Sequence, residues 1–178
     1  MAEGKEDSKT DGGYWDRILK DSAGSTDQDL WRASMKEVFH GLFDRWLDRS
    51  EGGLALKTDL YDEAVSAHGL LPLLKTRYRR VIGTDLSPEV AAAAANRIGA
   101  GDAVVTDVRN LSFGSGTFDL VLSHSTLDHF DDKGDITASL REIRRVLKPG
   151  GILIITLDNP ANPVIFLRNL LPYRLLMS

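Results

Sequence analysis

Apolar residues along this chain fall into two rhythms. Between Asp27 and Ser50, Trp31, Met35, Phe39, Leu42 and Trp46 recur at steps of three and four, which predicts one long helix with that stripe turned to the core. Glu51-Gly52-Gly53 closes it. Beyond that point short apolar runs alternate with helical ones. The runs LALKTDL (54–60), RRVIGTDL (79–86), DAVVTDV (102–108), FDLVLSHST (118–126) and GILIITLD (151–158) predict five strands. Between them lie EAVSAHGLLPLLKTR (63–77), SPEVAAAAANRIG (87–99) and DITASLREIRRVLKPGG (135–151), which predict helices. Pro72 implies a kink or two short helices in the first. Ser87 is placed to cap the second with Pro88 in its opening turn, and Pro149-Gly150-Gly151 closes the third. NPVIFLRNLLPYRLLM (162–177) begins as a further helix, interrupted by Pro172.

Strands that are apolar almost without interruption are covered on both faces, and their alternation with helices makes the sheet parallel. Ligands of such sheets sit beyond the C-terminal strand ends, at the point where the winding reverses. Asp59, Asp85, Asp107, Ser123 and Asp158 all fall at such ends.

Composition narrows the field. At 178 residues, 42% hydrophobic and 27% charged, the chain suits one domain with a true core. The net charge of −4 disfavours a nucleic-acid partner. It is concentrated in the first thirty residues, where Glu3, Glu6, Asp7, Asp11, Asp16, Asp21, Asp27 and Asp29 face only Lys5, Lys9, Arg17 and Lys20. Without cysteine there is no disulfide, no thiolate metal site and no cysteine nucleophile, and no metal is expected. The polar start MAEGKEDSKTDGG is not a secretory signal, and no apolar run reaches membrane-spanning length, so the cytoplasm is the expected location. Residues 1–13 read as a disordered leader, 14–50 as a helical cap, and 51–178 as the sheet-bearing domain.

An acid at the tip of the second strand, Asp85, can accept two hydrogen bonds from ribose hydroxyls. It can equally be a solvated acid or a cap for the helix starting at Ser87. Asp107, at the tip of the third strand, lies where an adenine would rest once Asp85 holds the ribose, with the Val108 amide set to read a ring nitrogen.

VIGTDLSPEVAAAAANR, GDAVVTDVRNLSFGSGTFDLVLSHSTLDHF and LREIRRVLKPGGILIITLDNP together resemble the class I S-adenosylmethionine-dependent methyltransferases, in the family's order and spacing over residues 79–159. The resemblance implies an α/β, Rossmann-like parallel sheet in the order 3-2-1-4-5 with helices on both faces. It implies S-adenosylmethionine as cofactor, S-adenosylhomocysteine as its product, and a small-molecule methyl acceptor. It assigns the ribose to Asp85 and the adenine to Asp107 and Val108, with Leu86 and Ser123 beside the cofactor. His129, with His124 behind it, is the candidate general base or acceptor-facing residue; a loop histidine that packs over the cofactor is the alternative. Tyr14 and Trp15 resemble the family's lid. Ser125, Asp128 and His129 make no hydrolase triad, since no G-x-S-x-G elbow accompanies them.

Two departures stand out. The family's first motif, D/E-x-G-x-G-x-G, is replaced by LALKTDLYDEAVSAHG, with no glycine between Asp59 and His68. Thr58 and Asp59 are then the candidates for the cofactor's amino group; capping of the next helix is the plain alternative. The family's sheet also carries two further strands, whereas Ser178 falls partway through the helix after the fifth. The expectation is an edge strand covered by more polypeptide or by another copy. A nicotinamide-dependent oxidoreductase would also use Asp85, but 57–69 contains no G-x-G-x-x-G. A binding or scaffold protein of the same fold is the remaining alternative.

Overall fold

Five strands, β1 (Leu54–Lys57), β2 (Arg80–Asp85), β3 (Ala103–Val105), β4 (Phe118–His124) and β5 (Leu147–Thr156), form one sheet in the order β3-β2-β1-β4-β5. The computed structural model describes residues 9–22, 28–47 and 53–157. All four pairings are parallel, as expected, and the winding reverses between β1 and β4.

The unbroken apolar runs have a visible cause. Alternate side chains of the same strands enter two separate cores. Ala55, Val81, Leu120 and Leu122 join Phe39, Phe43 and the helices of one layer, while Leu56 and Val121 join Val108, Ile143 and Val146 in the other. The first layer holds α2 (Asp29–Trp46), the two short helices α3 (Tyr61–Val65) and α4 (Leu71–Lys75), and α5 (Pro88–Ile98); α6 (Lys133–Val146) lies in the second. Pro72 opens α4 rather than kinking a single helix. At Gly83 a Cβ would overlap Leu60 and Leu71, so glycine lets this layer lie directly on β2. Ser87 caps α5, accepting the Val90 amide at 2.9 Å.

Several expectations change. The buried line of α2 runs through Arg32, Phe39, Phe43 and Leu47, while Trp31 (67% exposed), Leu42 and Trp46 (68% exposed) face outward. Of the stripe expected from the sequence, Phe39 is in the core and Met35 packs against it, whereas Trp31, Leu42 and Trp46 give way to Arg32, Phe43 and Leu47. β1 stops at Lys57, leaving Thr58–Leu60 as a turn, and β3 stops at Val105, leaving Asp107 in a loop bridged to Asn110. Lys148-Pro149-Gly150-Gly151 does not close α6. The helix ends at Val146, and these residues belong to β5, where Gly150 takes φ +79° and the pairing register shifts between Phe118 and Leu120. Another helix, α1 (Gly12–Asp21), starts within the stretch read as leader, with Asp11 accepting the Gly13 amide at 3.2 Å. Asp158 and the 162–177 stretch lie outside the described residues.

Candidate functional site

A cleft opens beyond the C-terminal ends of β1 and β2, beside the switch point. Its walls bring together Thr58, Asp59 and Tyr61 after β1, Asp85 and Leu86 after β2, Thr106, Asp107 and Val108 after β3, and Thr126, His129 and Phe130 after β4; Lys9, Thr10 and Trp15 complete it from the N-terminal side. The turn carrying His129 is a single 3-10 turn, Leu127–His129.

Asp85 is 8% exposed, and its two oxygens accept the Leu60 amide at 3.1 Å and the Ser87 amide at 2.8 Å. Burial pushes its carboxyl above the ordinary value, although those two amides pull the other way. Asp85 thus joins the turn after β1 to the start of α5 while still lining the cleft. Asp59 accepts the Tyr61 amide at 3.1 Å. Burial, then the nearby Asp85, Asp62 and Glu63 carboxylates, push its carboxyl up to about 7 against the pull of Lys57. Thr58 Oγ1 meets Thr126 Oγ1 at 3.0 Å across the switch point. Asp107 is gripped by Arg109, whose Nε lies 3.0 Å from both carboxylate oxygens and whose Nη2 donates at 2.7 Å. Arg109 also reaches Asp135 at 3.0 Å and stacks 5.3 Å over the Phe130 ring. Asp85 and Asp107 both line the cleft, and the Asp107 carboxylate carries an ion pair that the sequence did not announce.

Helix α1 contributes Trp15 to the cleft wall. Trp15 packs 4.7 Å from the His129 ring and 6.1 Å from Tyr61, and its Nε1 donates to the Lys9 carbonyl at 2.8 Å. The helix is anchored by Ser22 to Tyr61 at 2.6 Å, by Lys20 to Glu89 at 2.9 Å, and by Ser87 Oγ donating to Asp16. Gly12 sits against the Leu86 backbone, where a Cβ would stand 2.9 Å from the carbonyl oxygen.

Three expected residues lie elsewhere. Ser123 is fully buried and does not line the cleft. His124 points to the other side of β4, with Nδ1 2.6 Å from Thr156 Oγ1 and its ring edge-on to Phe39 at 5.0 Å; burial lowers its pKa. Tyr14 stacks edge-on to Trp15 at 5.1 Å and is not among the lining residues. The alternation of β4 explains the histidine: Leu120, Leu122 and His124 share the α2 face. Tyr61, Thr126 and Phe130 line the cleft without having been singled out from the sequence. Their signal was position alone, each following a strand end.

The family model described as a methyltransferase domain matches residues 64–155, more than half of the chain. This chain belongs to the methyltransferase-domain family. The methyltransferase-domain protein is 28% identical over 119 residues to the Bacillus subtilis (strain 168) protein "Putative methyltransferase YqeM", covering 65% of this chain and 48% of that one. It therefore spans about half the length of that curated relative. Among solved structures it resembles the PH0226 protein of Pyrococcus horikoshii OT3, with TM-score 0.64 and 24% identity over 93% of this chain and 72% of that one. It also resembles the N-methyltransferase NodS of Bradyrhizobium japonicum WM9, solved in complex with S-adenosyl-L-homocysteine, with TM-score 0.60 and 18% identity over 84% and 72% of the two chains. The Rossmann-like methyltransferase fold expected from the sequence is thus present. Among the described residues, no helix is long and apolar enough to cross a membrane.

Proposed function

We propose that this chain binds S-adenosylmethionine in the cleft and directs its methyl group to a small-molecule acceptor. The observation that carries this reading is the convergence of Asp59, Asp85 and Asp107 on one cleft at adjoining strand tips. NodS, a structural neighbour, holds S-adenosylhomocysteine in the same fold. The donor set suits the ligand: an acid at the second strand tip for ribose hydroxyls, and a second and third acid on the same cleft for an ammonium and an adenine amino group.

In this reading Asp85 receives the ribose hydroxyls, while Leu86 and Val108 enclose the nucleoside. Asp107, held in place by Arg109, faces the adenine amino group, and Thr58 and Asp59 serve the ammonium end. Bound there, the cofactor supplies an electrophilic methyl group on a sulfonium. Trp15 and Phe130 keep water from that end, and the electron-rich Trp15 face favours a nearby cation by about 0.5–2 kcal/mol. His129 is placed to take the acceptor's proton where the acceptor carries one.

Calorimetric titration tests this. S-adenosylhomocysteine should bind and NAD should not. Asp85→Ala should weaken the first by about a hundredfold or more, since a charged acceptor contributes roughly 1.5–3 kcal/mol per hydrogen bond. A folded protein that binds neither ligand overturns the reading. It would leave a binding or scaffold role, which the occupied Asp107 carboxylate and the glycine-free turn after β1 favour.

A further inference from the structure

Lys57 ends β1, and its side chain is fully buried, at 0% exposure. Its Nζ donates to the Asp59 carbonyl at 2.5 Å and to Glu63 Oε2 at 2.9 Å, and lies 3.4 Å from Asp59 Oδ1. Glu63, 2% exposed, accepts the Leu71 amide at 2.8 Å on its other oxygen, so a single buried pair ties β1 to α3 and α4. Burial opposes the lysine's charge, but the carboxylates of Glu63, Asp59 and Asp62 outweigh it and raise its pKa. Set in register with D/E-x-G-x-G-x-G, the segment Lys57–Glu63 puts a cation where that pattern has an acid. Asp59, Tyr61 and Glu63 then stand where it has glycines. The family match begins only afterwards, at Ala64.

We propose that Lys57 is a positioning residue: from beneath the cleft it fixes the turn after β1 and supplies the positive charge against which Asp59 stands as an anion to receive the ammonium end of an amino-acid-bearing nucleoside. A glycine-rich turn admits such a ligand by backbone proximity; here a buried ion pair builds a charged receptor instead. This rests on the cofactor reading above.

The charges facing Asp59 set its behaviour. Lys57 from β1 pulls its carboxyl down, while Asp85 from β2 and Asp62 and Glu63 from α3 push it up. Lys9, Asp107 and His129 share the cleft. With a value of about 7, the anion is lost as pH falls through neutrality. Removing Lys57 moves that midpoint to higher pH, and removing the charge of Glu63 moves it lower.

The experiment titrates the full chain with S-adenosylhomocysteine and with 5′-methylthioadenosine, which keeps the adenosine and lacks the amino acid, between pH 5.5 and 8.5. Wild type should bind the first about tenfold more weakly at pH 6 than at pH 8, and the second within about twofold across that range. At pH 7, Lys57→Met should weaken S-adenosylhomocysteine by about tenfold and leave methylthioadenosine within about twofold. Glu63→Gln should move the midpoint for S-adenosylhomocysteine to lower pH, an opposite shift that general loosening of the turn does not produce. It decides the matter if Lys57→Met does not fold. Equal losses for both nucleosides in Lys57→Met, or an unmoved profile in Glu63→Gln, overturn the proposal. A wild type that binds neither nucleoside overturns the cofactor reading itself, and this inference with it.

Discussion

Asp59 and Asp85 meet at the floor of the cleft, and their cost is measurable without any ligand. The folded value for Asp59, about 7, lies well above a carboxyl's ordinary value of 3.8. A carboxyl raised in this way gives stability that is complete below its unfolded value and lost as pH rises through its folded one. Asp59→Asn keeps an oxygen for the Tyr61 amide and removes the charge. It should therefore raise the melting temperature of the ligand-free protein, with a gain that grows from about pH 4 to about pH 7 and then levels. The gain should be several degrees, since about 1 kcal/mol moves the melting point by roughly 2–4 °C at this size. A melting curve as a function of pH checks it, and an unchanged or lower melting point at pH 8 counts against a strained Asp59. Asp85 was legible in the sequence because an acid closing an apolar strand is conspicuous. Lys57 was not: a lysine near a strand end reads as a solvated terminus, and only coordinates show that Glu63, six residues on, comes round to meet it.

At the scale of elements, the sequence rhythm settled the five strands and the Ser87 cap, and the family resemblance supplied their order. It did less well where two apolar faces compete. On α2, Leu42 and Phe43 are neighbours in sequence and sit about 100° apart around the axis. Periodicity alone ran the line from Phe39 on through Leu42 to Trp46, whereas packing buried Phe39 together with Phe43. Phe39→Ala should therefore cost about 3–5 kcal/mol, as a cavity in a closed core does. Trp46→Ala, under the Arg45 guanidinium but exposed, should cost less than about 1 kcal/mol. Urea unfolding of the two variants distinguishes them, and equal losses would place α2 the wrong way round. Helix α1 was read only as part of a helical cap from residue 14, and its start at Gly12 was missed because two glycines open it and polar residues precede it. Its anchors, Asp16 to Ser87 and Ser22 to Tyr61, are long-range contacts that no local pattern carries.

In the whole molecule, one sheet gathers groups from four strand ends into one cleft, and α1 adds Trp15 to its wall. Of the residues named from the resemblance to methyltransferases, Thr58, Asp59, Asp85, Leu86, Asp107 and Val108 line that cleft, because each lies at or just after a strand end. Ser123, His124 and Tyr14 are not among its lining residues, whereas Tyr61, Thr126 and Phe130 are. The direct test is a crystal structure of the protein grown with S-adenosylhomocysteine. Electron density should place the ribose hydroxyls on the Asp85 carboxylate, the adenine beside Asp107 and Val108, and the amino group on Asp59. A ligand bound away from Asp85, or a cleft still empty at saturating ligand, would contradict the account.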